Sequence, residues 1–402
     1  MTIRRGGLAL GAIALVAAVA TGSRALGVVG VGFLLAAGVT WLWAWLVGSP
    51  VVVTATIAPV PAIEGDHVRV GVEVRRGSRM PLGSMTVRLT AGRLGERTCR
   101  MRGHVRRVAV GEIDLGPLPR GVFAFSGTEV VLGDLLGLET VTPRVACEPA
   151  TVVVRPRLTA LDSLFSDAGR AAGDGRRILL RRAAGFDFHS VREHEQGESL
   201  RRVHWPTSAR RGQLMVKELE DTAHDGVVVI LDCDPRCAVG TPPDSSFDTA
   251  VRVAGSLLQA HAQRGRLATL VSSGHTRAVV PIRSATADFD GAVSALAAAE
   301  PDALDGLARF LAGDHPWASS GEFAIVTATT DQGAFAEMLA LARQRSVSIV
   351  WIDAASFASR TTRAEPGLLR LAAHGIATAV VRRDDDLAAV LSARSLETVA
   401  RA

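Results

Sequence analysis

From residue 25 to residue 47 the chain runs for 23 positions without a charged side chain, ALGVVGVGFLLAAGVTWLWAWLV. A bilayer core takes about 20 apolar residues in a helix, so this stretch is long enough to cross one. Trp41, Trp43 and Trp45 gather at one end of it, where an interfacial aromatic belt is expected. Another uncharged run, residues 6–23, precedes it. The expectation is therefore a membrane anchor over residues 1–50 with two transmembrane helices, about 6–23 and 25–47. Arg4 and Arg5 then hold the amino terminus inside, the TGSR turn faces out, and the second helix returns the chain. The first run also fits a cleavable secretory signal. In that case the second run stops transfer and again leaves the remainder inside. Both routes place the protein in the inner or plasma membrane with its soluble body on the cytoplasmic side.

A chain of 402 residues exceeds one ordinary core, so two or three domains are expected. Hydrophobic residues make up 48% and charged residues 21%, the balance of a globular body and not of a disordered tail. The net charge of +5 suits acidic lipid headgroups, a negative protein face or nucleic acid, and selects none of them. The four cysteines, Cys99, Cys147, Cys233 and Cys237, are too scattered for a disulfide framework.

After residue 50 the pattern changes to short alternating runs such as DHVRVGVEVRR, MTVRLTAG and ATVVVRPRL, punctuated by Gly, Pro and Asp. Such runs predict an all-β, sandwich-like antiparallel domain over residues 51–157. His67 and His104 stand isolated in it, with no clustered acids or nucleophile to make a catalytic site. From 221 to 402 the runs are continuous and apolar, GVVVILD, RLATLVSS, EFAIVTATT and SVSIVWID, and helical spacing lies between them. One such helix carries Phe247, Val251, Ala254, Leu258 and His261 on one face. Buried strands with crossover helices predict an α/β doubly wound sheet, whose ligands sit beyond the carboxyl ends of its strands. Asp232 with Asp234, Asp331 and Asp353 fall at such ends. They are candidates for holding a hard cation such as Mg²⁺, or else simple caps of the turn or helix that follows. No glycine-rich phosphate loop follows VVVILD, and no serine sits in a GxSxG elbow.

Residues 158–220 form a connector. Between Arg176 and Lys217 ten basic residues face four acidic ones, and Trp205 sits among them. An indole between guanidinium groups can stack with them, and Glu195 or Glu198 can pair them. The stretch SVREHEQGESLRRVHWPTSARRGQLMVKELE resembles the signature of the DUF58 family, at Arg192, Gly197, Arg201, His204, Trp205, Ser208, Ala209, Arg210, Val216, Lys217 and Glu218. His194 stands where that family usually has Tyr, and Glu198 where it usually has Asp. The strand-rich RGVFAFSGTEVVLGDLLGL and VVVRPRL are also similar to the region ahead of the signature in these proteins.

The resemblance implies that residues 221–402 form a von Willebrand A-like α/β domain. It implies a protein partner, a MoxR-type AAA ATPase among the candidates, and brings no established reaction. Metal-binding domains of that kind carry DxSxS after the first strand, with a Thr and a further Asp on later loops. Asp232, Asp234, Thr330 and Asp331 are the corresponding residues, and Mg²⁺ the ion they would take. Arg236 departs from the pattern by bringing a cation into the metal's place, so the expected cofactor set is otherwise none. The leading expectation is a non-enzymatic, membrane-anchored scaffold or adaptor, with Arg192, His194, Gly197, Arg201, His204, Trp205, Ser208, Arg210 and Lys217 as its signature and interaction residues. The alternative is a metal-assisted hydrolase or nuclease using the strand-end carboxylates, with His204 as general base. Nucleic acid is a poor partner for this stretch, because single-strand platforms need several stacking aromatics and it has one Trp.

Overall fold

The computed structural model describes residues 3–77, 83–105, 107–134, 139–148, 150–167, 190–193, 205–218, 226–283, 287–315, 317, 320–358, 360 and 365–392. The chain divides into two compact units, Met1–Arg155 and Pro156–Ala402.

The first unit opens with α1 (Ile3–Thr21) and α2 (Arg24–Val47). Ser23 starts α2 by accepting a hydrogen bond from the Leu26 N–H. By length and composition α2 can cross a bilayer, whereas the apolar part of α1, Gly6–Thr21, is shorter. The two helices approach closely at glycines. A Cβ placed on Gly30 would lie 2.9 Å from Leu15 Cγ and 3.1 Å from the Gly11 carbonyl oxygen. Small residues at such a crossing let helices pack backbone to backbone.

Eleven strands follow among the described residues. They are β1 (Val51–Ala58), β2 (Ala62–Ile63), β3 (His67–Arg76), β4 (Ser84–Thr90), β5 (Glu96–Arg100), β6 (Arg102–Val105), β7 (Val108–Pro117), β8 (Gly121–Gly133), β9 (Thr140–Val141), β10 (Val145–Cys147) and β11 (Ala150–Arg155). One sheet has the order β10-β1-β3-β7-β6 and another the order β2-β11-β8-β4-β5, with β9 on β8. Alternation puts Val68, Val70, Val72 and Val74 of β3 inward, where they share one core with Val87, Leu89, Phe123, Val130 and Val152 of the other sheet. Two short pairings, β1 with β10 and β2 with β11, are parallel, unlike the purely antiparallel expectation. Both partners are reached by long connections, which a parallel pairing requires.

Val47 is buried in this same core and Trp43 packs against it. Buried Arg76, at the end of β3, donates from Nη2 to the Leu46 carbonyl oxygen at 2.8 Å. That carbonyl is one of those a helix end leaves without an intrahelical partner. The cation also complements the negative end of the helix dipole. The membrane-type helix is thus fastened to the β-rich body of its unit by a hydrogen bond as well as by apolar contact.

The second unit begins at Pro156, two residues ahead of the expected connector, and takes the connector in with it. Leu161, Leu164 and Phe165 are buried in the α/β core, and the Phe165 N–H donates to the Leu391 carbonyl oxygen at 2.7 Å. β12 (Ser190–Glu193), α3 (Trp205–Arg211) and β13 (Met215–Glu218) come next, β12 pairing antiparallel with β13. The larger sheet then forms from β14 (Val227–Leu231), α4 (Ser246–Gln263), β15 (Ala268–Ser272), β16 (Val279–Ile282), α5 (Ala287–Ala298), α6 (Leu307–Ala312), β17 (Glu322–Thr327), α7 (Gln332–Ala342), β18 (Ser346–Ile352), α8 (Ala354–Phe357), α9 (Pro366–Ala373), β19 (Ala377–Val381) and α10 (Leu387–Ser392). Its strand order is β16-β15-β14-β17-β18-β19, parallel except for the edge strand β16.

β14 shows why the sheet is covered on both faces. Val227, Val229 and Leu231 join the core that includes α4, while Val228 and Ile230 join the core of α6, α7 and α9. A strand buried on both sides reads as an unbroken apolar run, as VVVIL does. The α4 helix starts at a capping box in which the Ser245 hydroxyl accepts from the Asp248 N–H and the Asp248 carboxylate reaches back to the Ser245 N–H. Phe247, Val251, Ala254, Leu258 and His261 are all buried, as their helical spacing predicts.

Candidate functional site

The order of the sheet reverses between β14 and β17, since the chain leaves β14 toward β15 and returns to its other side at β17. In open α/β sheets the crevice outside the carboxyl ends at such a point is where ligands bind. A cleft of about 580 Å³ opens there, with Asp234, Arg236, Thr329, Thr330, Asp331 and Arg360 among its lining residues.

Asp232 lies at the floor of this region, 4% exposed. Register places Leu231 beside Val326, so the next residue on each strand, Asp232 and Thr327, meet across the sheet. The Thr327 hydroxyl donates to Asp232 Oδ2 at 2.6 Å, and the Asp234 N–H donates to Oδ1 at 3.1 Å. Burial pushes the Asp232 carboxyl up to about 6, even though these hydrogen bonds favour the charged form.

Asp234 is committed to a cation of its own chain. Its carboxylate accepts from Arg236 Nε at 3.0 Å and from Arg236 Nη2 at 2.6 Å, a two-pronged contact. Burial alone would raise the pKa of Asp234, but hydrogen bonds from the side chain and backbone of Arg236 outweigh it and hold the group below the ordinary carboxylate range. The same side chain caps the 3₁₀ turn Pro235–Cys237.

Asp331 and Asp353 also act as caps. Asp331 accepts from the Gly333 and Ala334 N–H groups at the start of α7. Asp353 accepts from the Ala355 N–H at the start of α8 and lies 3.6 Å from Arg382 Nε. Thr330 is exposed on the rim. The Cys233 and Cys237 thiols are both pushed up to about 12, chiefly by burial, so neither is a thiolate near neutral pH.

Asp232, Asp234, Thr330 and Asp331 therefore do gather at one edge, yet their donor atoms suit a divalent cation poorly as they stand. One carboxylate is buried between a hydroxyl and an N–H, another is forked by Arg236, and the third caps a helix. Among the described residues no group of three or more His, Cys, Asp or Glu side chains is arranged to hold a metal ion. The spacing of the sequence hid Thr327, Thr329 and Arg360, which the sheet register and the loop after β18 bring to the same place.

The signature residues lie elsewhere in the unit. Arg192 falls on β12 opposite Val216, and Lys217 on β13 opposite Val191. His194, Gly197, Arg201 and His204 lie outside the described residues. Trp205 begins α3 and is 63% exposed, with Arg210 and Arg211 exposed on the same short helix. Ser208 is the buried member of α3. Its hydroxyl accepts from the Met215 N–H at 2.9 Å and pins the helix to β13, where Met215 is fully buried. The serine holds the segment and the tryptophan faces solvent.

A helix long and apolar enough to cross a bilayer, a β-rich body fastened to it, and a doubly wound α/β unit with a cleft at its switch point make up the described chain. Its residues 190–312 match the model of the family described as "Protein of unknown function DUF58". The chain is 27% identical over 197 residues to "Uncharacterized protein YeaD" of Bacillus subtilis (strain 168), an alignment covering 49% of this chain and 47% of that protein. It thus spans about half the length of that curated relative. Among solved structures, Cwp6 from Clostridium difficile aligns with 74% of this chain and 37% of its own at 8% identity and a TM-score of 0.17. A GH20 exo-β-N-acetylglucosaminidase from Vibrio harveyi aligns with 82% of this chain and 81% of its own at 8% identity and a TM-score of 0.20. Likenesses this slight carry no argument.

Proposed function

We propose that this protein is a non-enzymatic, membrane-anchored adaptor whose α/β unit, a von Willebrand A-like module on the cytoplasmic side, docks a protein partner. One observation carries the reading: Trp205 is 63% exposed on a helix that Ser208 fixes in place. A large apolar side chain held rigidly in solvent is costly to leave uncovered, and Trp and Arg are the residues that dominate protein interfaces. Arg210 and Arg211 beside it suit a partner with an acidic face, and a MoxR-type AAA ATPase is the candidate that the family resemblance supplies. The anchor consists of two spans, α1 and α2, fastened to the β-rich body through Arg76.

The switch-point edge favours binding over catalysis, because its carboxylates are engaged in capping, in an internal ion pair or in a buried hydrogen bond. The test is partner capture from solubilised native membranes by the full chain and by Trp205→Ala. The expected result is loss of a stoichiometric partner by the variant with its melting temperature unchanged. Retention of that partner, or a melting temperature that falls with capture, would defeat the docking role of Trp205.

A further inference from the structure

The cleft between β14 and β17 contains guanidinium N–H donors that the fold does not use up. Arg236 meets Asp234 through Nε and Nη2, which leaves the Nη1 edge of the guanidinium outward, and the side chain is 74% exposed at the cleft mouth. A guanidinium has five N–H donors in a rigid fork, so one edge can grip an internal carboxylate while the other stays available to a second. The grip is pre-set. Asp234 is buried, and the guanidinium passes so close to Gly306 that a Cβ there would lie 2.9 Å from Nη2. Arg360 lines the same cleft, and the exposed hydroxyl of Thr330 lies on its rim. Of the acidic groups among the described lining residues, Asp234 is paired with Arg236 and Asp331 has both oxygens on backbone N–H groups.

We infer that this cleft is a carboxylate-binding site, with Arg236 and Arg360 as its donors, and that the carboxylate is a Glu or Asp side chain on an acidic segment of a protein partner. A protein source fits because the unspent donors sit at the mouth. Small-molecule pockets bury most of their ligand, about 70–90% of its surface, whereas a rim-borne fork meets a side chain presented by another surface. The assignment rests on the docking reading only in taking the carboxylate from a protein, and it does not involve Trp205.

The test uses the full chain in lipid nanodiscs with four probes: an acetylated and amidated hexaglutamate peptide, the matching hexaglutamine peptide, succinate and inorganic phosphate. Binding is read by calorimetry and located by protection of Arg236 and Arg360 from phenylglyoxal, mapped by mass spectrometry. Hexaglutamate is expected to bind saturably and to protect both arginines, with hexaglutamine inert. Arg360→Gln, at an exposed position, should weaken binding by at least about tenfold without a change in melting temperature. Arg236→Lys keeps the charge but cannot fork, and should weaken binding to a similar degree. Equal binding of hexaglutamine, absence of protection, or wild-type affinity in Arg360→Gln would overturn the site. Protection by succinate or phosphate but not by hexaglutamate would overturn the protein source. Trp205→Ala should bind hexaglutamate as the unaltered chain does, so failure of the Trp205 reading and failure of this one are read separately.

Discussion

Asp232 joins two strands with one carboxyl group, taking a hydroxyl from β17 and an N–H from its own loop, and its burial makes the charge expensive. Its ordinary value is 3.8 and its folded value about 6. Between the two the native state keeps a proton that the unfolded chain has lost. The stabilising contribution of the neutral acid is therefore complete below about pH 4 and is lost as pH rises toward 6, by about 3 kcal/mol in all. Urea unfolding of the chain across pH 4–7 should show that decline, and Asp232→Asn should flatten it. A slope that survives in the variant would assign the effect to another group. The sequence made the strand-end acids visible as a set but could not sort them. Asp232, Asp331 and Asp353 share the same local pattern, but the neighbouring strand supplies Thr327 to Asp232, whereas Asp331 and Asp353 accept from N–H groups of the helices that directly follow them. Arg236 was readable as a departure from a metal site, because a cation two residues from Asp234 competes with any metal for it.

At the scale of elements, α3 owes its existence to a tertiary contact. WPTSARR is seven residues long, with Pro in its first turn and no apolar stripe, and such a segment does not persist alone. Ser208→Ala removes the hydroxyl bonded to the buried Met215 N–H and should cost about 1–3 kcal/mol. Trp205→Ala, at a solvent-facing position, should stay within about 0.5 kcal/mol. Equal losses in denaturant unfolding would mean that the indole is a packing residue after all. The α1–α2 crossing gives a second check. A Cβ on Gly27 would lie 3.8 Å from that of Ala18, which suits a disulfide between Ala18→Cys and Gly27→Cys. That pair should oxidise readily in membranes, and adding Gly30→Val should suppress it by driving the helices apart. Oxidation at the same rate with Val in place would show that the close approach is absent. Long periodic elements such as α4 were legible because many buried side chains repeat on one face. α3, α6 and the antiparallel edge strand β16 were not, being four to seven residues long and fixed by neighbours distant in sequence.

For the molecule as a whole, hydropathy and alternation announce a membrane-type helix, a β-rich stretch and a doubly wound stretch in that order. They do not reveal that residues 161–165 pack into the α/β core, since a short LDSLF run reads as linker until Leu391 and α4 are beside it. Nor do they reveal the joint at Arg76, where a strand residue meets a helix carbonyl thirty positions earlier. Both contacts tie segments that look like connections to the cores of their own units. The proposed docking role rests on the exposed Trp205. Benzoylphenylalanine in place of Trp205, irradiated in the full chain in native membranes, tests that most directly, with Leu267, exposed ahead of β15 at the strand end away from the cleft, as the control position. A discrete protein adduct at 205 that is missing at 267 is the predicted result. Identical adducts at both positions, or lipid adducts alone, would contradict a docking role for this helix.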